Sequence, residues 1–247
     1  MNIHDTAPAA QPAVLWTTHE ETLTLEGEPV LIYRLSWPQL KQGRRGRAKI
    51  NRYYRALIRS WKRRWDQEIY WKACLDLVQQ RSVSRPFTPW RGELSGTVTY
   101  WRDGLLSIRM EGWETRGSGH PCKVRWGDVW RIKEGAPVSL RELFSKKKNW
   151  KLAVKQEILQ QGHKLQADGE CVFHSDWESQ ITPLLPSQDF CLTEEGLELT
   201  YPQGTLAPAV EGTPVFCLAV PPNRQESEHT DAACNPKKFF SKFSQKK

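Results

Sequence analysis

The chain contains 247 residues, of which 38% are hydrophobic and 12 are tryptophan, and this composition excludes a mostly disordered protein. Its formal net charge is +8, yet residues 41–65 contain eleven Lys or Arg and no Asp or Glu, so one segment accounts for the basicity. The sequence shows neither a signal-peptide pattern nor an apolar stretch of transmembrane length, which predicts a cytoplasmic location.

A hairpin and a long helix are the first predicted elements. "TLTLEGEPVLIYRL" places strand-like alternation on both sides of Glu26-Gly27, which predicts two paired strands. From about Ala48 to Gln80 the apolar residues recur at helical spacing, and arginines occupy the opposite side. We therefore predict one long amphipathic helix, curved or broken near Asp66.

Further strands follow the helix, which "RPFTPW" (85–90) ends. An Asp103-Gly104 turn is predicted to join two strands. Two more short strands are predicted around Gly127-Asp128.

Two shorter helices and a return to the sheet complete the predicted fold. Ser139 and Asn149 each suit the cap of a helix, and Gly162 is placed at the end of the second helix. The segments "DFCLTEEGLELTYP" and "PVFCLAVP" are predicted to be late strands that return to the sheet. The fold class is thus α+β, a mostly antiparallel sheet with one long amphipathic helix and two shorter helices.

Four segments in order resemble one bacterial family. They are "INRYYRAL" (50–57), "DGLLSIRMEGWETRGSGHP" (103–121), "VSLRELF" (138–144) and "FCLTEEGLELTYPQGTLAPAVEGTPVFCLAVP" (190–221). Together they resemble the RsiV-like C-terminal domain family, a domain of unknown function shared with the anti-sigma factor RsiV. With an N-terminal companion domain it also occurs in the peptidoglycan deacetylase PdaC.

The resemblance implies a module that binds other molecules rather than cleaving them. It implies a companion-like subdomain over 15–110 and an RsiV-like subdomain over 111–222, between disordered ends at 1–14 and 223–247. A protein partner such as lysozyme, in envelope-stress sensing, is one expectation. The segment 201–212 lacks two aromatic positions of the family pattern, so a different partner is equally open.

His120 in "RGSGHP" is the first candidate functional side chain. A catalytic or metal-binding histidine needs partners, and the sequence offers no nucleophile elbow and no HxH or HExxH spacing. The favoured interpretation is a turn that Gly117 and Gly119 permit, with His120 fixing the loop by a hydrogen bond. His120 remains a candidate at the edge of a binding surface.

The basic segment is the strongest physical candidate for binding. Arginine guanidinium groups match the geometry of phosphate and carboxylate, so we expect an anionic polymer or nucleic acid to contact this segment. A solvated outer helix face is the alternative interpretation. The candidate ligand-binding residues are Arg44, Arg45, Arg47, Lys49, Arg52, Arg55 and Arg59, together with His120.

The remaining candidates favour structural roles. The six cysteines are scattered and are expected to be free thiols, and "CVFH" (171–174) is predicted to be a short strand rather than half of a zinc site. We expect no catalytic residues, metal or cofactor. The tail "KKFFSKFSQKK" resembles a membrane-surface peptide in chemistry, with a solvated tail as the alternative. The leading hypothesis is a non-catalytic binding module, with a nucleic-acid-binding protein using residues 43–64 as the alternative.

Overall fold

The computed structural model describes residues 14–41, 45–144 and 149–219. They form a six-stranded sheet and a three-stranded sheet, and within each sheet the strands lie side by side in chain order. A long helix covers one face of the larger sheet, and the smaller sheet lies against the other face. The α+β class, with mostly antiparallel pairing and one long helix, is confirmed.

The N-terminal hairpin and the long helix build one side of the larger sheet. Strands β1 (Val14–Leu25) and β2 (Glu28–Leu40) pair antiparallel around the predicted turn. The chain then forms α1 (Arg45–Arg64), a π-helical segment (Trp65–Ile69) and α2 (Tyr70–Ser82) before β3 begins. Because β3 pairs with β2 in parallel, the helix is the crossover connection between these two strands.

The predicted irregularity near Asp66 is the π-helical segment. A π-helical turn holds one residue more than an α-helical turn, and such segments are rare. On the buried side of the helix lie Ile50, Tyr54 and Ile58 before this segment and Ala73 and Leu77 after it. The apolar residues that drift around the axis in the sequence thus stay against the sheet.

Three antiparallel strands continue the larger sheet after the helix. They are β3 (Trp90–Arg102), β4 (Leu105–Thr115) and β5 (Cys122–Arg131), followed by the two-residue β6 (Ala136–Pro137). The prediction of two short strands around Gly127-Asp128 is wrong, because β5 runs through both residues without interruption.

The last third of the chain forms its own layer. It contains α3 (Leu140–Leu143), α4 (Trp150–Ala167), α5 (Trp177–Gln180), β7 (Phe190–Leu192), β8 (Leu197–Thr200) and β9 (Val215–Leu218). The prediction that the late strands return to the sheet is wrong, since they pair only with one another. Every residue of β7 and β8 is buried, including the polar Glu198 and Thr200 of β8.

Two details of the predicted helices have clear outcomes. Ser139 does begin α3, and it forms a capping box with Glu142. The prediction that Gly162 ends the second helix is wrong, because α4 continues to Ala167. This glycine is buried where the ring of Trp177 occupies the space of a Cβ atom, so its role is close packing rather than termination.

The two sheets meet where β7 crosses β4 and β5. A Cβ atom on Gly127 would collide with the backbone of Phe190, so only glycine allows this approach. Beside it, the Leu192 backbone N–H donates to the buried Ser107 Oγ at 2.9 Å, and Thr99 Oγ1 donates to the same oxygen at 2.8 Å. The polar atoms of this apolar junction are therefore satisfied.

A buried carboxylate also joins the sheets. Glu198 on β8 is 2% exposed, and Arg125 of β5 donates to its Oε2 at 2.7 Å. Arg109 of β4 lies 3.4 Å from the same oxygen, and both arginines also face Glu111. Two cations and two anions thus balance at the junction, as a buried charge requires.

Some sequence predictions fall on residues outside those described. The expected disordered ends at 1–14 and 223–247 lie there, apart from Val14, which begins β1. The proposed subdomain boundary between residues 110 and 111 lies inside β4, which pairs with β3 and β5 on both sides of that point. The larger sheet is therefore continuous across the boundary.

Substituting Gly127 tests the contact between the two sheets. We expect Gly127→Ala to lower the free energy of unfolding by about 2 kcal/mol or more, because the added methyl group overlaps backbone that cannot rotate away. Urea denaturation followed by tryptophan fluorescence measures the change. Gly119→Ala in the exposed β4–β5 loop is the control, and an equal loss in both variants would contradict the assigned role of Gly127.

Candidate functional site

Arginines form a row along the outer face of α1, and we call Arg45, Arg52, Arg55, Arg59 and Arg63 the arginine row. All five are exposed. At 100° per residue they fall within about 80° of one another around the axis, so they share one side of the helix. Between them lie small exposed residues, Ala48, Ala56 and Ser60, which leave the guanidinium groups accessible.

The arginine row is not used by the fold. None of its guanidinium groups has a hydrogen bond or ion pair to another of the described residues. Such a concentration of like charge on one helix face costs stability unless a partner neutralises it. The arginine row can therefore bind an anionic surface.

Other cations of the same helix do serve the fold. Lys49 Nζ donates to the backbone oxygen of Glu134 at 3.1 Å. Arg64 pairs with Glu114 on β4, whose carboxylate also accepts a hydrogen bond of 2.6 Å from Trp65 Nε1. These contacts hold the helix on the sheet. Lys49 and Arg64 therefore have structural roles, which distinguishes them from the arginine row.

The sequence-predicted basic residues are therefore only partly brought together. Arg45, Arg52, Arg55 and Arg59 belong to the arginine row, and Arg63 extends it beyond the residues named from the sequence. Arg47 is half-buried and Lys49 is engaged with Glu134. Arg44 lies outside the described residues.

No hydrogen bond joins His120 to the arginine row among the described residues. This histidine is exposed in the β4–β5 loop, near the strand end where Glu114 contacts Arg64. Gly46, next to Arg45, lies against the backbone of Ile132 and Lys133, at the opposite end of β5, so the His120 loop is at the Arg63 end of the row. The expected hydrogen bond from His120 across its turn is absent among the described residues, where the loop is closed instead by Gly119 N–H and Arg116 O at 3.0 Å.

A carboxylate between helix and sheet was missed by the sequence analysis. Tyr54 Oη donates to Asp128 Oδ2 at 2.9 Å, and Tyr53 Oη donates to Oδ1 at 3.2 Å. Trp130 Nε1 in turn donates to Tyr54 Oη at 3.2 Å. Burial raises the pKa of Asp128 to about 6, although the tyrosine hydrogen bonds favour its ionised form, and Asp189 nearby adds to the rise.

This Asp128 cluster anchors the middle of α1 directly beneath the arginine row. Burial is also the main reason that the pKa of Tyr54 lies well above its usual range, so both tyrosines act as hydrogen-bond donors at neutral pH. The sequence does contain a pattern that points to this site. Asp128 lies inside the strand segment "VRWGDVWR", where every second residue faces the helix. Interpreting Gly127-Asp128 as a break between strands concealed it.

A second polar cluster surrounds the start of the π-helical segment. The buried Tyr33 on β2 donates to Asp66 Oδ1 at 2.5 Å, and Lys62 Nζ lies 2.8 Å from Tyr33 Oη and 2.9 Å from Asp66 Oδ2. Burial and the Asp66 hydrogen bond raise the pKa of Tyr33 to about 12. The cluster ties the helix to the hairpin where the π-helical segment begins.

The described residues also contain a shallow cavity of about 250 Å³ at the hairpin end of the larger sheet. Its lining mixes both charges, including Glu20, Arg34, Arg91 and Glu93, with Trp113 at one side. Arg34 Nε lies 3.5 Å from Glu20 Oε1, so these two charges offset each other. The cavity therefore lacks the single sign of charge that distinguishes the arginine row.

The other predicted sites reduce to structural features. The "CVFH" segment is not a strand, which corrects the sequence interpretation; Phe173 is buried against Trp177 while Val172 is exposed. Cys74, Cys122, Cys171 and Cys191 are free thiols. Within residues 14–41, 45–144 and 149–219, no three His, Cys, Asp or Glu side chains are grouped to hold a metal ion. In the same ranges, no helix has the length and apolarity to cross a membrane.

Comparison with known proteins shows a shared fold. A member of the DUF3298 family from Bacteroides fragilis has a TM-score of 0.59 at 15% identity, covering 84% of this chain and 91% of that chain. A DUF3298 family protein from Pseudomonas aeruginosa PAO1 gives 0.46 at 15% identity, covering 84% and 89%. No family model matches the sequence, and no curated protein matches it. The fold is thus similar to that of a DUF3298 protein, while the RsiV-like assignment stays a prediction.

Replacing Asp128 tests the buried carboxylate. Its pKa is raised from 3.8 to about 6 on folding, so ionisation costs stability as the pH rises from about 4 to 6, and the cost is complete above that range. We expect the wild-type protein to lose about 1–3 kcal/mol of stability relative to Asp128→Asn between pH 4 and pH 7. Denaturation midpoints of both proteins across this range measure the difference, and a constant difference would contradict the assignment.

Proposed function

We propose that this protein is a non-catalytic binding module that uses the arginine row to bind an anionic macromolecule. The observation that carries the proposal is the row itself, five exposed guanidinium groups on one helix face without an acidic partner among the described residues. The fold holds the rest of the helix by separate contacts, so the row is available to a ligand.

The geometry of the row supports an extended ligand. From Arg45 to Arg63 the row spans about 27 Å at the rise of an α-helix. Guanidinium groups pair with phosphate, sulfate or carboxylate by two parallel hydrogen bonds, and a repeating anion can engage several at once. A small anionic metabolite would contact only one or two members of the row.

Residues 201–212, which correspond to the C-terminal aromatic part of the RsiV-like pattern, are a weaker candidate for binding. Tyr201 is buried and donates to the backbone oxygen of Ile181 at 2.9 Å. The aromatic ring at this position therefore packs in the hydrophobic core between the smaller sheet and its helices rather than facing a partner. For this reason we assign the binding role to the helix and not to residues 201–212.

Charge reversal tests the proposed function. We expect Arg52→Glu/Arg55→Glu/Arg59→Glu to reduce the affinity for heparin, used as a model polyanion, by about a hundredfold or more at low salt, because it exchanges attraction for repulsion at three neighbouring sites. Wild-type binding should itself weaken steeply as salt increases. Affinity is measured by fluorescence anisotropy with labelled heparin.

A matched variant controls for net charge. Arg141→Glu/Lys151→Glu/Lys164→Glu makes the same change in total charge on exposed residues of α3 and α4, away from the long helix. We expect it to retain most of the wild-type affinity. Equal losses in the two triple variants would show that only overall charge matters and would overturn the assignment to the arginine row.

A further inference from the structure

An exposed apolar row lies on α2, beyond the arginine row. Trp71, Leu75 and Val78 are 62%, 69% and 54% exposed, and their spacing of four and three residues places them on one side of the helix. The side of α2 that faces the sheet is buried through Ala73 and Leu77. The helix therefore has one apolar face that packs in the core and a second apolar face in solvent. Packing on a sheet requires only the first of these faces.

The π-helical segment brings this apolar row into line with the arginine row. In a continuous α-helix, Trp71 would follow Arg63 by eight steps of 100°, which displaces it by about 80° around the axis. The extra residue of the π turn makes the separation equivalent to about seven steps, or nearly two full turns. Both rows thus face outward along one line about 50 Å long, from Arg45 to Val78.

Few charges interrupt this line. Glu68 lies between the two rows, and Lys72 Nζ is 2.6 Å from its carboxylate, with Arg64 at 3.9 Å on the other side. The Lys72 hydrogen bond holds the pKa of Glu68 below its usual range. The acid is therefore neutralised by its neighbours, and the outer face keeps its positive sign.

We propose that this combined face binds the surface of an anionic lipid bilayer, with the arginine row on the headgroups and Trp71, Leu75 and Val78 in the interfacial region. The proposal rests on the proposed function, because it names the anionic macromolecule. The helix is the outer layer on its side of the larger sheet, so a flat surface can meet its whole length. Tryptophan and long aliphatic side chains are the residues that enter the interfacial region of bilayers.

The chemistry of the face favours lipid over the other polyanions. Sulfated glycans and duplex nucleic acid offer the anionic groups that the arginines need but nothing apolar for Trp71, Leu75 and Val78, and single-stranded nucleic acid offers bases that stack on Trp71 alone. An anionic leaflet supplies both the anionic groups and an apolar region. The sequence beyond the described residues ends in "KKFFSKFSQKK", a second basic and aromatic segment of the composition that anionic lipid surfaces attract.

Vesicle binding by the full chain tests this inference. Co-sedimentation is measured with vesicles of phosphatidylcholine alone and with about one third phosphatidylserine. We expect binding only to the phosphatidylserine vesicles. We expect Trp71→Ser/Leu75→Ser to weaken it about tenfold while changing heparin affinity less than twofold, because the arginine row stays intact. The control Leu152→Ser/Val172→Ser, exposed apolar residues of the other layer, should bind both ligands as the wild type does.

Each result separates the two proposals. If the wild type binds heparin but not phosphatidylserine vesicles, or if Trp71→Ser/Leu75→Ser binds vesicles as well as the wild type does, the lipid inference is overturned and the arginine row stands. If the wild type binds single-stranded DNA more tightly than phosphatidylserine vesicles, the partner is nucleic acid and the lipid inference is again overturned. Failure to bind any polyanion would overturn the proposed function itself.

Discussion

The close approach of β7 to β5 at Gly127 is the constraint on which the rest of the structure depends. The larger sheet has one face under the long helix and much of the other under the second sheet, so β4 is buried on both sides at Leu106–Ile108 and β5 at Val129–Trp130. That arrangement requires a backbone without a side chain at the crossing point and a partner for each buried polar group. Gly127, Ser107 and the Glu198 cluster provide these, and the outer face of the helix is then left free of structural duties.

The inner face of the helix holds it on the sheet, and the outer face carries the candidate site, which consists of charged side chains. The Asp128 cluster, the Tyr33 cluster and the Glu114 contacts fix three points along the helix from beneath. A helix held so firmly can carry uncompensated arginines on its outer side without detaching from the sheet. The resulting surface is preorganised, and a ligand would meet it with little loss of backbone entropy.

The sequence predicted what depends on local pattern, and failed where tertiary contacts override it. The hairpin at Glu26-Gly27, the long helix and the capping of α3 follow from periodicity and turn chemistry, and they are confirmed. Gly127 and Gly162 were interpreted as breaks because glycine usually marks them. In the structure each lies inside a regular element, where another part of the chain comes too close for a Cβ atom. Arg45, Arg52, Arg55 and Arg59 could be named from the sequence, but distinguishing them from Lys49 required knowing which cations of the helix form contacts with the sheet.

The parallel pairing of β2 with β3 has a consequence for the order of folding. Only residues 31–35 and 90–94 join these strands, and the whole long helix intervenes. Closing so long a loop costs chain entropy before any ladder hydrogen bond forms, whereas the β1–β2 and β3–β4 hairpins close locally. We therefore expect both hairpins to form early and to remain separate until the helix folds. Formation of the helix that carries the arginine row would then limit the rate at which the two hairpins join into one sheet.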